Sequence, residues 1–184
     1  MRPRRYGGGR LRIPLIYVKD KQAFGKADGM ITLIGKPTDV AKDLKEKGAK
    51  LIHIVDADAL RGSSTNLDTY NNLTYFINVQ VECAQSDELV KKLLSFKCRV
   101  VLPPGKLDVS KYKEKKLLVA KLPRDYPGGA AELEGFHDVV LEGADDESVA
   151  RFIAMGKRVI IYDKDEESVK KEKKSIWGTI VSTF

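Results

Sequence analysis

The chain has 184 residues, 42% of them hydrophobic and 32% charged, and a formal net charge of +7. That length suits one domain, and a chain of this size buries roughly 70% of the surface it exposes when unfolded. No apolar run approaches the ~18 residues that cross a bilayer, and no apolar stretch follows the basic N-terminus, so neither a membrane span nor a secretory leader is expected.

Residues 1–10, Met-Arg-Pro-Arg-Arg-Tyr-Gly-Gly-Gly-Arg, read as a flexible basic arm ahead of a single domain over 11–184. Arg2, Arg4, Arg5 and Arg10 are candidates for weak phosphate contact with nucleic acid, with Tyr6 available to stack. The blander reading is a tail without a partner. The sequence 13–18, Ile-Pro-Leu-Ile-Tyr-Val, predicts a first strand, and 30–34 an extra strand or hairpin beside it. Thr38-Asp39 offers an N-cap for a helix with Val40, Ala41 and Leu44 on its apolar stripe, ending at Gly48.

The apolar run 51–55 predicts a second strand buried on both faces, as in a parallel sheet, with Asp56 and Asp58 just past its end. Residues 66–73 make at most a short helix, and 76–81 a third strand. Ser86-Asp87 caps a helix carrying Leu89, Val90, Leu93 and Leu94. A fourth strand over 98–102 is stopped by Pro103-Pro104-Gly105, and 106–116 has little helical amphipathicity. A fifth strand covers 117–122, a helical turn or two falls within 126–134, and a sixth strand covers 137–141. Asp145 caps a helix that ends at Gly156, and a seventh strand covers 158–162. A charged helix with little but Val169 to bury spans 165–174, and an eighth strand falls within 176–184.

Eight strands joined by helical crossovers make an α/β protein and point to a compact, partly degenerate (β/α)8 barrel of the TIM type, with several helices shortened or missing. Such barrels usually take about 250 residues and seldom fewer than 200. The alternative is an open doubly wound sheet.

Three segments carry a resemblance. Ile13-Pro14-Leu15-Ile16 resembles the IPAID opening of the histidine-biosynthesis ribotide isomerases and their cyclase relatives. His53-Ile54-Val55-Asp56-Ala57-Asp58-Ala59, followed by Asn66-Leu67, resembles their second-strand HVVDLDGA…NL signature, and Asn78-Val79-Gln80-Val81 their third-strand PVQV. The resemblance covers residues 11–102; beyond them the strand rhythm agrees.

The resemblance implies an Amadori rearrangement of a phosphoribosyl-formimino-aminoimidazole carboxamide ribotide, which needs an acid and a base on opposite sides of the sugar. The family places one Asp at the end of strand one and another at the end of strand five. Here those positions hold Tyr17 and about Lys121, with no carboxylate until Asp125. A phenol, with its usual pKa near 10, is a poor base at neutral pH. The family's phosphate-binding glycines after strands three and seven are replaced by Glu82-Cys83-Ala84 and Asp163-Lys164-Asp165. The resemblance therefore implies a diverged barrel that has lost both the catalytic pair and the phosphate loops, and acts as a binding protein or an altered enzyme. The alternatives are an active isomerase with relocated groups and a nucleic-acid-binding module that uses the arm.

Ligands of such barrels bind at the C-terminal ends of the strands. Asp56, Asp58 and Lys121 are the catalytic candidates there, and Lys19, Glu82, Arg124, Glu142 and Asp163 the ligand-binding candidates. Asp56, Asp58 and Glu82 suit a divalent cation, or they cap helices and pair with Lys19 and Lys121; no metal and no cofactor is expected. A desolvated Lys121 can form Schiff bases, or it pairs with Asp56, Asp58 or Glu142. His53 reads as a packed core residue, His137 as exposed, and Trp177 as packing on the eighth strand. Cys83 and Cys98 lack metal or redox spacing, so free thiols and a cytoplasmic protein are expected, Cys83 being either reactive or merely small and buried. The Lys- and Glu-rich composition suits a thermophile. The expected partner is a phosphorylated small molecule, and the oligomeric state is left open.

Overall fold

The computed structural model describes residues 10–182. In chain order the elements are β1 (Leu11–Lys19), β2 (Gln22–Ala27), β3 (Met30–Gly35), α1 (Pro37–Glu46), β4 (Leu51–Asp56), α2 (Leu67–Leu73), β5 (Asn78–Glu82), α3 (Asp87–Ser95), β6 (Arg99–Leu102), β7 (Leu118–Pro123), β8 (Asp138–Glu142), α4 (Asp146–Ala154), β9 (Arg158–Tyr162) and β10 (Gly178–Ser182). Parallel pairing runs from β1 through β4, β5, β6, β7, β8 and β9 to β10, and β10 pairs back onto β1. Closure leaves the eight parallel strands without an edge, so this is a closed barrel and not an open sheet. It closes tightly because β10 begins with glycine: a Cβ at Gly178 would stand 2.9 Å from Ile13 Cδ1.

Alternation along each strand divides the apolar residues into two cores. The inner one fills the barrel with Ile13, Leu15, Leu51, Val101, Val119, Val140, Ile160 and Ile180. The outer one lies between barrel and helices and holds Ile16, Ile52, Ile54, Val79, Val81, Leu93, Phe152 and many others. Among the described residues only α1 to α4 cover the outside, and the crossovers after β6, β7 and β9 are built from loops and single 3-10 turns. Val109, Tyr112, Leu133 and Val169 from those crossovers plug the outer core in place of helices.

Several expectations change in the structure. The extra strand is a full hairpin, β2–β3, turning through Asp28-Gly29 with both residues left-handed, as a two-residue hairpin turn requires. Helix α1 starts at Pro37 with Lys36 as N-cap and no side-chain cap, so Thr38-Asp39 lies inside it. Proline suits this first position because its missing N–H would be unpaired there anyway. The third strand begins at Asn78, two residues later than 76, because the turn after α2 extends through Phe76 and Ile77. No charged helix forms over 165–174; two 3-10 turns flank Val169, which alone cannot anchor an amphipathic face. Arg2, Arg4, Arg5 and Tyr6 of the basic arm, and Thr183 and Phe184 of the eighth strand, lie outside the described residues. Arg10, the last residue of the expected arm, bonds Glu166 at 3.2 Å.

Among the described residues no helix is long and apolar enough to cross a membrane.

Candidate functional site

A cavity of about 590 Å³ opens at the C-terminal ends of the strands. Tyr17, Lys121, Glu142, Tyr162 and Asp163 line it from the barrel, Lys26, Asp28 and Gly29 from the hairpin, and Lys164 from the loop after β9. Lys121 reaches this floor from β7. Its ammonium donates to both carboxylate oxygens of Glu82, at 3.0 and 3.1 Å, and pairs with Glu142 at 3.3 Å. Burial works against the Lys121 charge, yet Glu82 and then Glu142 hold its pKa above the usual lysine value. Burial and the Glu82 charge push the Tyr17 phenol up. They push Tyr162 up as well, and its hydroxyl lies 3.4 Å from Glu82.

Glu82 also heads a buried polar chain. His53 Nε2 donates to Glu82 at 2.9 Å, and the Gln80 amide donates to His53 Nδ1 at 2.8 Å, a pattern that requires the Nε2–H tautomer. The Gln80 carbonyl accepts from Arg99 Nε at 2.9 Å, and Arg99 donates in turn to Asp138. Arg158 closes on Asp138 from the other side at 2.7 and 2.8 Å, and its guanidinium lies over the Trp177 ring at 4.0 Å. Hydrogen bonds thus run from the barrel's lower end to the mouth, charge-assisted at both ends and neutral between Gln80 and His53. Burial alone would raise the Glu82 pKa, but the His53 bond and the Lys121 charge outweigh it and bring it down to about 2.

Asp56 and Asp58 sit elsewhere. Asp56 follows Ile54 on the outward face of β4 and is fully buried. One oxygen accepts from the Asp58 and Ala59 N–H groups and the Asn66 amide, each at 2.9 Å; the other accepts from Tyr70 Oη at 2.7 Å. Asp58 accepts from the Asp20 N–H at 2.7 Å and from Asn66 Nδ2 at 2.9 Å, and these bonds draw its pKa below the usual carboxylate range. Asn66 Oδ1 accepts from the Lys21 N–H at 2.8 Å. Asp20 and Lys21 are both left-handed, at φ 47° and 62°. The second-strand signature is therefore a frame that holds a strained turn at the hairpin's base. Asp56 and Glu82 lie on opposite faces of the sheet, so the carboxylates suggested for a divalent cation do not converge, and neither Asp56 nor Asp58 pairs with Lys121.

Lys19 is exposed beside that turn, and Arg124 leans 3.7 Å from Asp145, the N-cap of α4; neither lines the cavity. Cys83 is buried behind the mouth, and burial pushes its thiol up to about 12, so it is not a reactive group. Sequence reading missed Tyr162, Lys26 and Asp28 as cavity residues, and Gln80, Arg99, Asp138 and Arg158 as the polar chain. A usable signal existed: these last four interrupt or open apolar strands at the positions that alternate with the outer core.

The phosphate loops implied by the resemblance are internally satisfied. The Cys83 N–H donates to Val101 O at 3.2 Å and the Ala84 N–H to Ala59 O at 3.0 Å. After β9 the Lys164 N–H donates to Asp163 at 2.9 Å, and Asp165 accepts from the Gly143 N–H at 3.0 Å. These N–H groups are thus already taken, by main-chain carbonyls after β5 and by carboxylates around the loop after β9.

Fold and cavity define a closed (β/α)8-type barrel with its candidate site at the C-terminal mouth. No family model matches the chain. It is 30% identical over 122 residues to an uncharacterized protein of Methanocaldococcus jannaschii, covering 59% of this chain and 54% of that one. It is 36% identical over 97 residues to the 1-(5-phosphoribosyl)-5-((5-phosphoribosylamino)methylideneamino) imidazole-4-carboxamide isomerase of Cenarchaeum symbiosum, covering 49% and 42%. The isomerase of the same name from Nitrosopumilus maritimus matches at 33% over 85 residues, covering 45% and 34%. In sequence and in its closed barrel the chain resembles the histidine-biosynthesis ribotide isomerases, and it spans about half the length, or less, of the curated relatives it matches.

Proposed function

We propose that this barrel binds a small hydroxylated ligand carrying one anionic group, such as a sugar monophosphate, and does not perform the Amadori isomerisation. One observation carries the reading: the two positions that the resemblance makes acid and base, Tyr17 and Lys121, are both proton-holding donors whose pKa values are raised. Neither serves as a base at neutral pH, and an Amadori step needs one. The same groups make a binding floor. Tyr17, Tyr162 and Lys121 offer donors, Glu142 and Asp163 offer acceptors, and Lys26 and Lys164 are the lysines that can face an anionic group, with Asp28 and Asp163 on the same lining limiting it to one. A Schiff base on Lys121 is disfavoured, because such chemistry needs a depressed amine pKa.

The test is calorimetric titration with ribose 5-phosphate, inorganic phosphate and the isomerase ribotide, alongside a turnover assay with the ribotide. Binding of the sugar phosphate without turnover is expected. Conversion of the ribotide, lost in Lys121→Met, would overturn the reading in favour of an active isomerase with relocated groups.

A further inference from the structure

Strand β3 stands at the end of the sheet, pairs among the described residues only with β2, and is exposed along nearly its whole length. Its residues Met30, Ile31 and Leu33 are 70%, 60% and 53% exposed. An uncharged edge strand with several exposed apolar side chains and no proline is a template for further pairing, and natural proteins usually blunt or cover it. Nothing within Met30–Gly35 blunts it.

The hairpin geometry fixes which main-chain groups are free. With the two-residue turn Asp28-Gly29, Met30 and Thr32 exchange their bonds with Ala27 and Gly25. Ile31 and Leu33 therefore turn their N–H and C=O groups to the open edge. A second copy related by a two-fold axis through Thr32 places Ile31 of one chain opposite Leu33 of the other, so all of these groups pair. In that register Met30 faces Ile34. Asp28, at the turn of one chain, reaches Lys36 of the other, once at each end. Sliding the copies by one two-residue step separates Asp28 from Lys36, and in one direction it also sets Leu33 opposite the turn residue Gly29, where its main-chain groups lose their strand partner. Apolar and charged complementarity thus select the same antiparallel register.

We propose that the chain forms a two-fold dimer through β3, making a four-stranded antiparallel ribbon across the two hairpins. Asp28 and Gly29 line the mouth cavity, so this contact also fixes the hairpin tips beside both sites.

Analytical ultracentrifugation of the full chain over a wide concentration range tests it, with circular dichroism confirming that each variant is folded. Ile31→Lys and Leu33→Lys change only exposed side chains and are expected to abolish the dimer. Asp28→Lys and Lys36→Asp are each expected to weaken it about tenfold, since each sets like charges face to face at both ends. The double variant D28K/K36D restores the pairs and is expected to recover the dimer. A monomer at every concentration, or a dimer indifferent to Ile31→Lys and Leu33→Lys, overturns the proposal. Failure of the double variant to recover overturns the register.

Discussion

Glu82 and Lys121 meet at 3.0 Å across the floor of the mouth although their strands, β5 and β7, are not neighbours in the sheet. In a barrel the layers of side chains come from alternate strands, which is why two such residues can touch. The contact joins the cavity to the buried polar chain below it. Glu82 is buried, so the ion pair is only weakly screened by salt.

This pair sets an acid limb. On folding, the Glu82 pKa falls from the ordinary glutamate value of 4.5 to about 2. Its stabilising contribution is complete above about 4.5 and is lost as pH falls toward about 2. That difference corresponds to something on the order of 3 kcal/mol. Urea denaturation of wild type between pH 2 and 5 should show stability rising with pH through this window. Glu82→Gln should flatten that part of the curve, and an unchanged curve in the variant would assign the acid limb to other carboxylates.

The barrel itself was legible because each parallel strand is a short apolar run between turn residues. The loop-built crossover over 106–116 was legible too, since it lacks a helical stripe, whereas the helical turn or two expected within 126–134 is replaced by turns alone. Which polar residue faces the mouth was not, because facing depends on register and on where each strand ends. Asp56 and Lys121 both sit near the ends of apolar runs, yet Asp56 follows Ile54 outward while Lys121 follows Val119 inward. The charged segment 165–174 misled for a related reason: its composition favours helix, but a helix needs more than Val169 to hold it against the barrel. The hairpin has a sequence signal in Asp28-Gly29, but its place over the cavity was hidden, because that depends on how the hairpin folds back across the mouth.

If Asp56 is the frame of the hairpin base and not a mouth group, its removal should damage folding more than binding. Asp56→Ala leaves the Tyr70 hydroxyl, the Asn66 amide and two backbone N–H groups without their acceptor. Leaving one buried donor unsatisfied costs about 1–3 kcal/mol, so a loss of about 3 kcal/mol or more is expected by denaturant titration. Asp58→Ala should cost less, because its donor Asp20 is an exposed residue whose N–H can reach water and the Asn66 amide keeps its bond to Asp56. A variant at Asp56 with near-normal stability but no ligand binding would contradict this assignment.

The two thiols should be silent in the native protein. Cys83 and Cys98 are both buried, and burial pushes each thiol up to about 12. At pH 8 almost no thiolate is present at either site, and the thiolate is the reactive form. Ellman's reagent is expected to label neither residue in buffer and both in guanidinium chloride. Slow labelling in buffer would measure local opening of the barrel, and rapid labelling of Cys83 alone would contradict its burial in the outer core between barrel and helices.

At the opposite end of the polar chain, Asp138 is the single anion between Arg99 and Arg158, with His137 Nδ1 also 2.7 Å from it. Burial alone would raise its pKa, but the Arg158 bonds, followed by the Arg99 charge, hold it below the usual carboxylate range. Asp138→Ala would leave two guanidinium groups facing each other beside the Trp177 ring, and removing one member of such a buried pair costs about 3–5 kcal/mol. Asp138→Asn keeps the shape and one acceptor, so it should cost less. Because the cluster is buried, the wild-type contribution should survive added salt, whereas the like-charge repulsion in Asp138→Ala should be partly relieved by it as Arg158 swings toward solvent. Thermal melts of both variants at low and high salt check this: equal loss in Ala and Asn variants, with no response to salt, would show that packing around Trp177 and not the charge arrangement holds the lower end of the barrel.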